Sequence, residues 1–166
     1  MRYTFVLSLL LTLALTLGAQ GEISKGLVAH WPMDEGKGDL VKDASGNGND
    51  GKIENATWVD GKFGKGLKFE ANSKVTVPHS DSLSPKKAFT ISLWIKPFKF
   101  PQVENRTLFK PNQYNLDLHK GRGRVEVNIK GRYYGAANPD EISTGEWHHL
   151  VGTYDTSTRI LRFYVD

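Results

Sequence analysis

The sequence predicts an all-β sandwich or barrel, on three observations. Apolar residues recur with period two along nearly every run after residue 21, the mark of strands with one buried and one wet face. Short clusters of turn formers separate the runs, and the seventeen glycines suit many tight turns. No window beyond the N-terminal stretch carries a helical period.

Residues 1–21 stand apart. Met1 and Arg2 supply a positive start, residues 3–17 are almost wholly apolar, and Gly18-Ala19-Gln20-Gly21 offers small residues for cleavage. This is the layout of a secretory signal peptide cut after Ala19 or Gly21. The apolar stretch is shorter than the about 20 residues a membrane span needs. Export to the periplasm or the extracellular space is therefore expected. Nothing after Gly21 is apolar enough for the mature chain to insert in a membrane.

One domain is expected over residues 22–166. Residues 27–33 read as an opening strand running into an acidic turn at Asp34 and Glu35, and residues 43–54 are rich in Asp, Asn and Gly. Asp60-Gly61, Gly64-Lys65-Gly66 and Asn72-Ser73 are turn signals; Val75 and Val77 make a short strand that Pro78 ends. Phe89, Ile91, Leu93 and Ile95 alternate with Thr90, Ser92, Trp94 and Lys96, which puts the first four on one sheet face. After the turn Lys120-Gly121-Arg122-Gly123, the residues Val125, Val127 and Ile129 alternate with Arg124, Glu126, Asn128 and Lys130. Asp155-Thr156-Ser157-Thr158 joins residues 147–154 to 159–165 as a β-hairpin, in whose second strand Leu161, Phe163 and Val165 share a face. The sequence stops at Asp166 in or just after that strand, so the sandwich is expected to lack its last strands.

Composition narrows the function classes. There is no cysteine, so neither disulfides nor a lipid-modified N-terminal Cys contribute. About 145 residues can bury some two-thirds of their unfolded surface without such help. The net charge of +4 becomes +3 once Arg2 leaves with the leader. The lysines are scattered instead of striped, which argues against nucleic acid as a partner.

Six segments taken together resemble a known family: Leu27-Val28-Ala29-His30-Trp31-Pro32-Met33-Asp34-Glu35-Gly36-Lys37-Gly38, Asp43-Ala44-Ser45-Gly46-Asn47-Gly48-Asn49-Asp50-Gly51, Gly64-Lys65-Gly66-Leu67-Lys68-Phe69, Phe89-Thr90-Ile91-Ser92-Leu93-Trp94-Ile95-Lys96-Pro97, Gly145-Glu146-Trp147-His148-His149-Leu150-Val151-Gly152-Thr153-Tyr154-Asp155 and Leu161-Arg162-Phe163-Tyr164-Val165-Asp166. Each is weak alone; six in order look like the laminin-G-like jelly-roll domains of the concanavalin A-like lectin/glucanase superfamily. The resemblance implies an antiparallel two-sheet jelly-roll sandwich, incomplete at the C-terminus, since family members usually continue with a Gly-containing turn and further strands. It also implies a secreted, non-catalytic binding module for carbohydrate or an extracellular protein. The alternative is an accessory or spacer domain of a larger secreted enzyme such as a glycoside hydrolase.

Candidate sites are few. Residues 43–54 nearly match an EF-hand loop, with Asp43, Ser45, Asn47, Gly48 and Glu54 in place. Position three is Ser, however, and neither flank forms a helix. A bare Asp/Asn/Gly loop is also an ordinary turn. Relatives of this fold often hold a structural calcium ion near the equivalent turn. The candidate ligands are Asp34 and Asp43, with Asn47, Asn49 and Asp50 behind them, all hard oxygen donors. His148 and His149 are neighbours on a strand, so they diverge and cannot chelate one ion. No strand carries the paired carboxylates that glycoside hydrolysis requires: Asp117 is flanked on its face by Asn115 and His119, and Glu126 by Arg124 and Asn128. For a sugar, aromatic rings in polar Gly-rich contexts are the candidates, namely Tyr133 and Tyr134 and then Tyr114. Trp31, Trp58, Trp94 and Trp147 read as packing residues. Asn55 and Asn105 each start an Asn-x-Thr glycosylation pattern.

Overall fold

The structure, a computed structural model, describes residues 25–100 and 105–166, so the expected leader at residues 1–21 lies outside the described residues. The chain divides after Leu83 into two compact units.

In the first unit, β1 (Leu40–Val41), β2 (Gly51–Glu54) and β5 (Lys74–Thr76) form an antiparallel sheet in the order β1-β2-β5. β3 (Thr57–Asp60) and β4 (Lys65–Lys68) pair as a separate hairpin, and one 3-10 turn follows at Asp81–Leu83. Val41 and Ile53 are its buried apolar residues. Gly64 turns the hairpin with a φ of 62°, and any Cβ there would run into the Asp34 carboxylate. Residues 27–33, expected as the opening strand, join no sheet. Their backbone groups are met by side chains instead. His30 N–H donates to Asp43 Oδ1 at 2.9 Å, and Val28 C=O accepts from Asn49 Nδ2 at 2.8 Å. Leu27 C=O accepts from Asn47 Nδ2 at 3.1 Å. A segment whose peptides are satisfied this way needs no ladder.

The second unit holds β6 (Ala88–Ile95), β7 (Asn105–Lys110), β8 (Tyr114–His119), β9 (Arg122–Ile129), β10 (Arg132–Ala137), β11 (His148–Asp155) and β12 (Ile160–Val165). The middle four form an antiparallel meander ordered β10-β9-β8-β7, and the others a second sheet ordered β12-β11-β6. The sheets stack around Leu116, Leu118, Ile142 and Leu150, with Ile91, Leu93, Leu108 and Phe163 packed against them. This is the antiparallel two-sheet sandwich that the alternation predicts. Phe89, Ile91, Leu93 and Ile95 turn inward along β6, and Val125 and Val127 are buried on β9. Two glycines set the closest approach of the sheets. Gly123 lies under the ring of Phe163, and a Cβ on Gly152 would stand 2.6 Å from Val125 Cγ2.

Two details depart from the sequence reading. Pairing of β11 with β12 runs to Asp155 and Ile160, so the hairpin loop is residues 156–159, one later than expected. The Asp155 carboxylate sets this end by accepting Ser157 N–H and Oγ–H, both at 2.7 Å. Trp94, read as a packing residue, is 40% exposed on the outer face and stacks on His149 with ring centroids 4.9 Å apart. His148, its neighbour, is buried. Among the described residues, no helix is long and apolar enough to cross a membrane.

Candidate functional site

The Asp/Asn/Gly turn is knit together by hydrogen bonds. Asp43 Oδ1 accepts the N–H groups of His30 and Ser45, and Oδ2 accepts Ser45 Oγ–H and Asn49 N–H, at 2.8–3.0 Å. A carboxylate has about four lone-pair positions, and these donors fill them. Desolvation pushes the Asp43 carboxyl up, but the His30, Ser45 and Asn49 donors outweigh it and hold the group well below the usual range. Asp50 Oδ1 accepts Asp43 N–H at 2.8 Å, and Asn49, 3% exposed, turns its amide to Val28 and Ser82. Asp34 Oδ1 accepts Lys65 N–H at 2.8 Å. These donors engage both Asp43 oxygens, and among the described residues no three His, Cys, Asp or Glu side chains converge on one point.

Thermal unfolding checks this. A carboxyl with a depressed pKa stabilises the fold above its ordinary value near 4 and loses that contribution as pH falls through the lowered one. The midpoint is therefore expected to drop below about pH 4, with a smaller drop in Asp43→Asn. At neutral pH, melts in calcium and in chelator are expected to coincide. A calcium-dependent rise of roughly 5–10 °C would mean that Asp43 exchanges its N–H donors for an ion.

The outer face of the meander carries a charged network that reading one strand at a time misses. Arg124 on β9 donates to both oxygens of Asp117 on β8 at 3.2 Å. Its third nitrogen lies 3.3 Å from Glu126, which in turn accepts Asn115 Nδ2–H at 2.8 Å. Asp117 is 2% exposed. Both carboxylates are thus engaged by one guanidinium, a structural clamp across β8 and β9.

A second polar chain resembles a nucleophile relay in its order. Ser143 Oγ lies 3.0 Å from His148 Nε2, and His148 Nδ1 lies 2.8 Å from Asp166 Oδ2. The Ser143 hydroxyl donates instead to Glu146 at 2.7 Å, so its proton is directed away from the ring. Asp166 also accepts His149 N–H at 2.9 Å; that bond and the His148 side chain hold its carboxyl below the usual range. The chain pins the end of β12 to the start of β11.

Among the described residues of the second unit, a pocket of about 450 Å³ draws its lining from both sheets. Its walls are Phe89 of β6, Tyr114 of β8, Val127 and Ile129 of β9, and Tyr154 of β11. Each stands at a position that alternation turns inward. Phe89 packs between the two tyrosines, with ring centroids 5.1 Å from Tyr114 and 6.0 Å from Tyr154. Burial pushes the Tyr114 hydroxyl pKa up, which keeps it a neutral donor and acceptor. Asn112, Gln113 and Asn128 also line the pocket, with Lys86, Lys87 and Lys130. Hydrogen bonds fix that lining: Gln113 Nε2 donates to Ser84 Oγ at 3.0 Å, Asn128 N–H to Gln113 C=O at 2.6 Å, and Thr156 N–H to Lys87 C=O at 2.8 Å.

Of the three tyrosines singled out in the sequence, only Tyr114 lines this pocket. Tyr133 and Tyr134 sit side by side on the edge strand β10, opposite Asn128 and Val127, and so point to opposite faces. Tyr134 shares a row with Val127 and Tyr114, two strands and about 10 Å away. Phe89 and Tyr154 escaped the sequence reading because a ring on an inward position is indistinguishable from core. Their places at strand ends, beside the Lys86-Lys87 and Thr156 turns, were the available signal.

Against known proteins, a family model named Laminin_G_3 and described as "Concanavalin A-like lectin/glucanases superfamily" matches residues 69–166, more than half of the chain. No curated protein matches the chain.

Proposed function

From the premise that this chain belongs to the concanavalin A-like lectin/glucanases superfamily, we propose that it is a secreted carbohydrate-binding module whose ligand enters the pocket of Phe89, Tyr114 and Tyr154. Laminin-G-like domains are in general extracellular binding folds without catalytic chemistry. A fold does not name a ligand, so the pocket carries the reading. Its volume of about 450 Å³ lies within the range of small-molecule sites. Aromatic walls suit the apolar face of a sugar ring, and the Asn112 and Gln113 amides suit its hydroxyls.

An oligosaccharide array tests the proposal. For whichever sugar binds, Tyr114→Leu should weaken binding about three- to tenfold through the lost ring contact, with a cooperative melt retained. Unchanged affinity in Tyr114→Leu would move the ligand elsewhere, and an array with no binder would remove sugars from consideration.

A second reading, a protein partner, has its own observation. Trp94, Ile160 and Tyr164 leave 40%, 39% and 51% of their surface exposed, and alternation puts all three on the outer face of the β12-β11-β6 sheet. Arrays of extracellular proteins with Tyr164→Ser would separate the two. Both readings are compatible with service as an accessory domain of a larger secreted enzyme.

A further inference from the structure

We infer that the ligand of this pocket is an anionic sugar, one bearing a carboxylate or a sulfate. The inference rests on the sugar reading above and adds to it the charge of the ligand. Lys86, Lys87 and Lys130 stand at the mouth, and no aspartate or glutamate lines the pocket anywhere. The three are exposed, and none has an ion pair or a side-chain hydrogen bond to a described residue.

The acids that come nearest in the chain face away. Asp155 follows Tyr154 on β11, so it points to the opposite face, where Ser157 holds its carboxylate. Glu126 lies on the outer face of β9, engaged by Arg124. The mouth therefore carries three like charges over low-dielectric aromatic walls. Such a site focuses a positive potential and repels itself until an anion arrives. Surface lysines commonly serve only solubility; these three differ in sharing one concave mouth with a sugar-sized space beneath. The division of labour follows from the chemistry: rings for the apolar sugar face, amides for hydroxyls, ammonium groups for the anionic substituent.

Titration calorimetry on the chain compares trigalacturonate, the neutral galactose trimer of the same linkage and its sulfated counterpart. At low salt the charged trimers should bind about tenfold more tightly than the neutral one, the sum of three modest charge pairs. That preference should shrink as salt rises to 0.5 M, where screening acts over only a few ångströms. Combining Lys86→Gln, Lys87→Gln and Lys130→Gln should bring the ratio toward one, with the melting temperature little changed. Tighter binding of trigalacturonate than of the sulfated trimer assigns the site to carboxylates, the reverse to sulfates, and equal binding to either anion. A charged-to-neutral ratio near one in the wild type, a salt-independent ratio, or a ratio that survives in the triple variant overturns the inference. In the first of these cases the sugar reading stands, because neutral binding is still observed. If no trimer binds and the array is also blank, the sugar reading itself fails. The salt series on the wild type decides the matter should the triple variant fold poorly.

Discussion

Replacing Arg124 with leucine should destabilise the Ser84–Asp166 unit by about 3 kcal/mol, read as a lower urea midpoint. Asp117 is buried, and Arg124 supplies hydrogen bonds to both of its oxygens while also facing Glu126. Removing the guanidinium leaves two carboxylates close together in a partly dehydrated sheet face. The damage comes from the charge left behind more than from the pair itself, since a buried ion pair gains little over an apolar pair of similar volume. Asp117→Leu combined with Arg124→Leu is therefore expected to recover most of the loss. A loss below about 0.5 kcal/mol for Arg124→Leu would show that this face behaves as solvated surface.

Gly152→Ala should cost about 2 kcal/mol, although it adds a single methyl group. The added Cβ would lie 2.6 Å from Val125 Cγ2, and Val125 is fully buried between the sheets. One of the sheets must then move, or the valine must leave its rotamer. Val125→Ala alone should also cost about 2 kcal/mol, through lost burial and a cavity. Together the two changes should cost at least about 1 kcal/mol less than their sum, because each removes the conflict or the void made by the other. Simple additivity in urea unfolding would place the closest approach of the sheets elsewhere.

Legibility in the sequence follows how each element is buried. β6, β9 and β12 each bury one face and wet the other, so their alternation writes both faces into the chain. β8 was harder. Asn115 and Asp117 are nearly as buried as Leu116, and their side chains bond to Glu126 and Arg124 of β9. That partnership crosses strands and has no spacing to betray it. Residues 27–33 carry strand-like residues, but side chains some twenty positions away answer their peptides. For the Asp43 turn, the composition that cradles a cation is the same one that satisfies its own backbone. The pocket is assembled from the ends of four strands, and of its three rings only Tyr114 stood out in the sequence, as an aromatic in a polar context.

The strand order β12-β11-β6 also has a consequence in time. Ala88 pairs with Asp155 and Ile95 with His148, so β6 meets its partner only after the whole meander has been made. At roughly 5–20 residues per second on a ribosome, the wait lasts on the order of ten seconds. Throughout it the stripe of Phe89, Ile91, Leu93 and Ile95 is without the strand that will cover its edge. Charged residues flanking such a run discourage pairing between nascent chains. Lys86 and Lys87 precede β6, and Lys96 and Lys99 follow it. Two of the cations at the mouth of the finished pocket thus also guard the apolar strand that is longest exposed while the protein is being made.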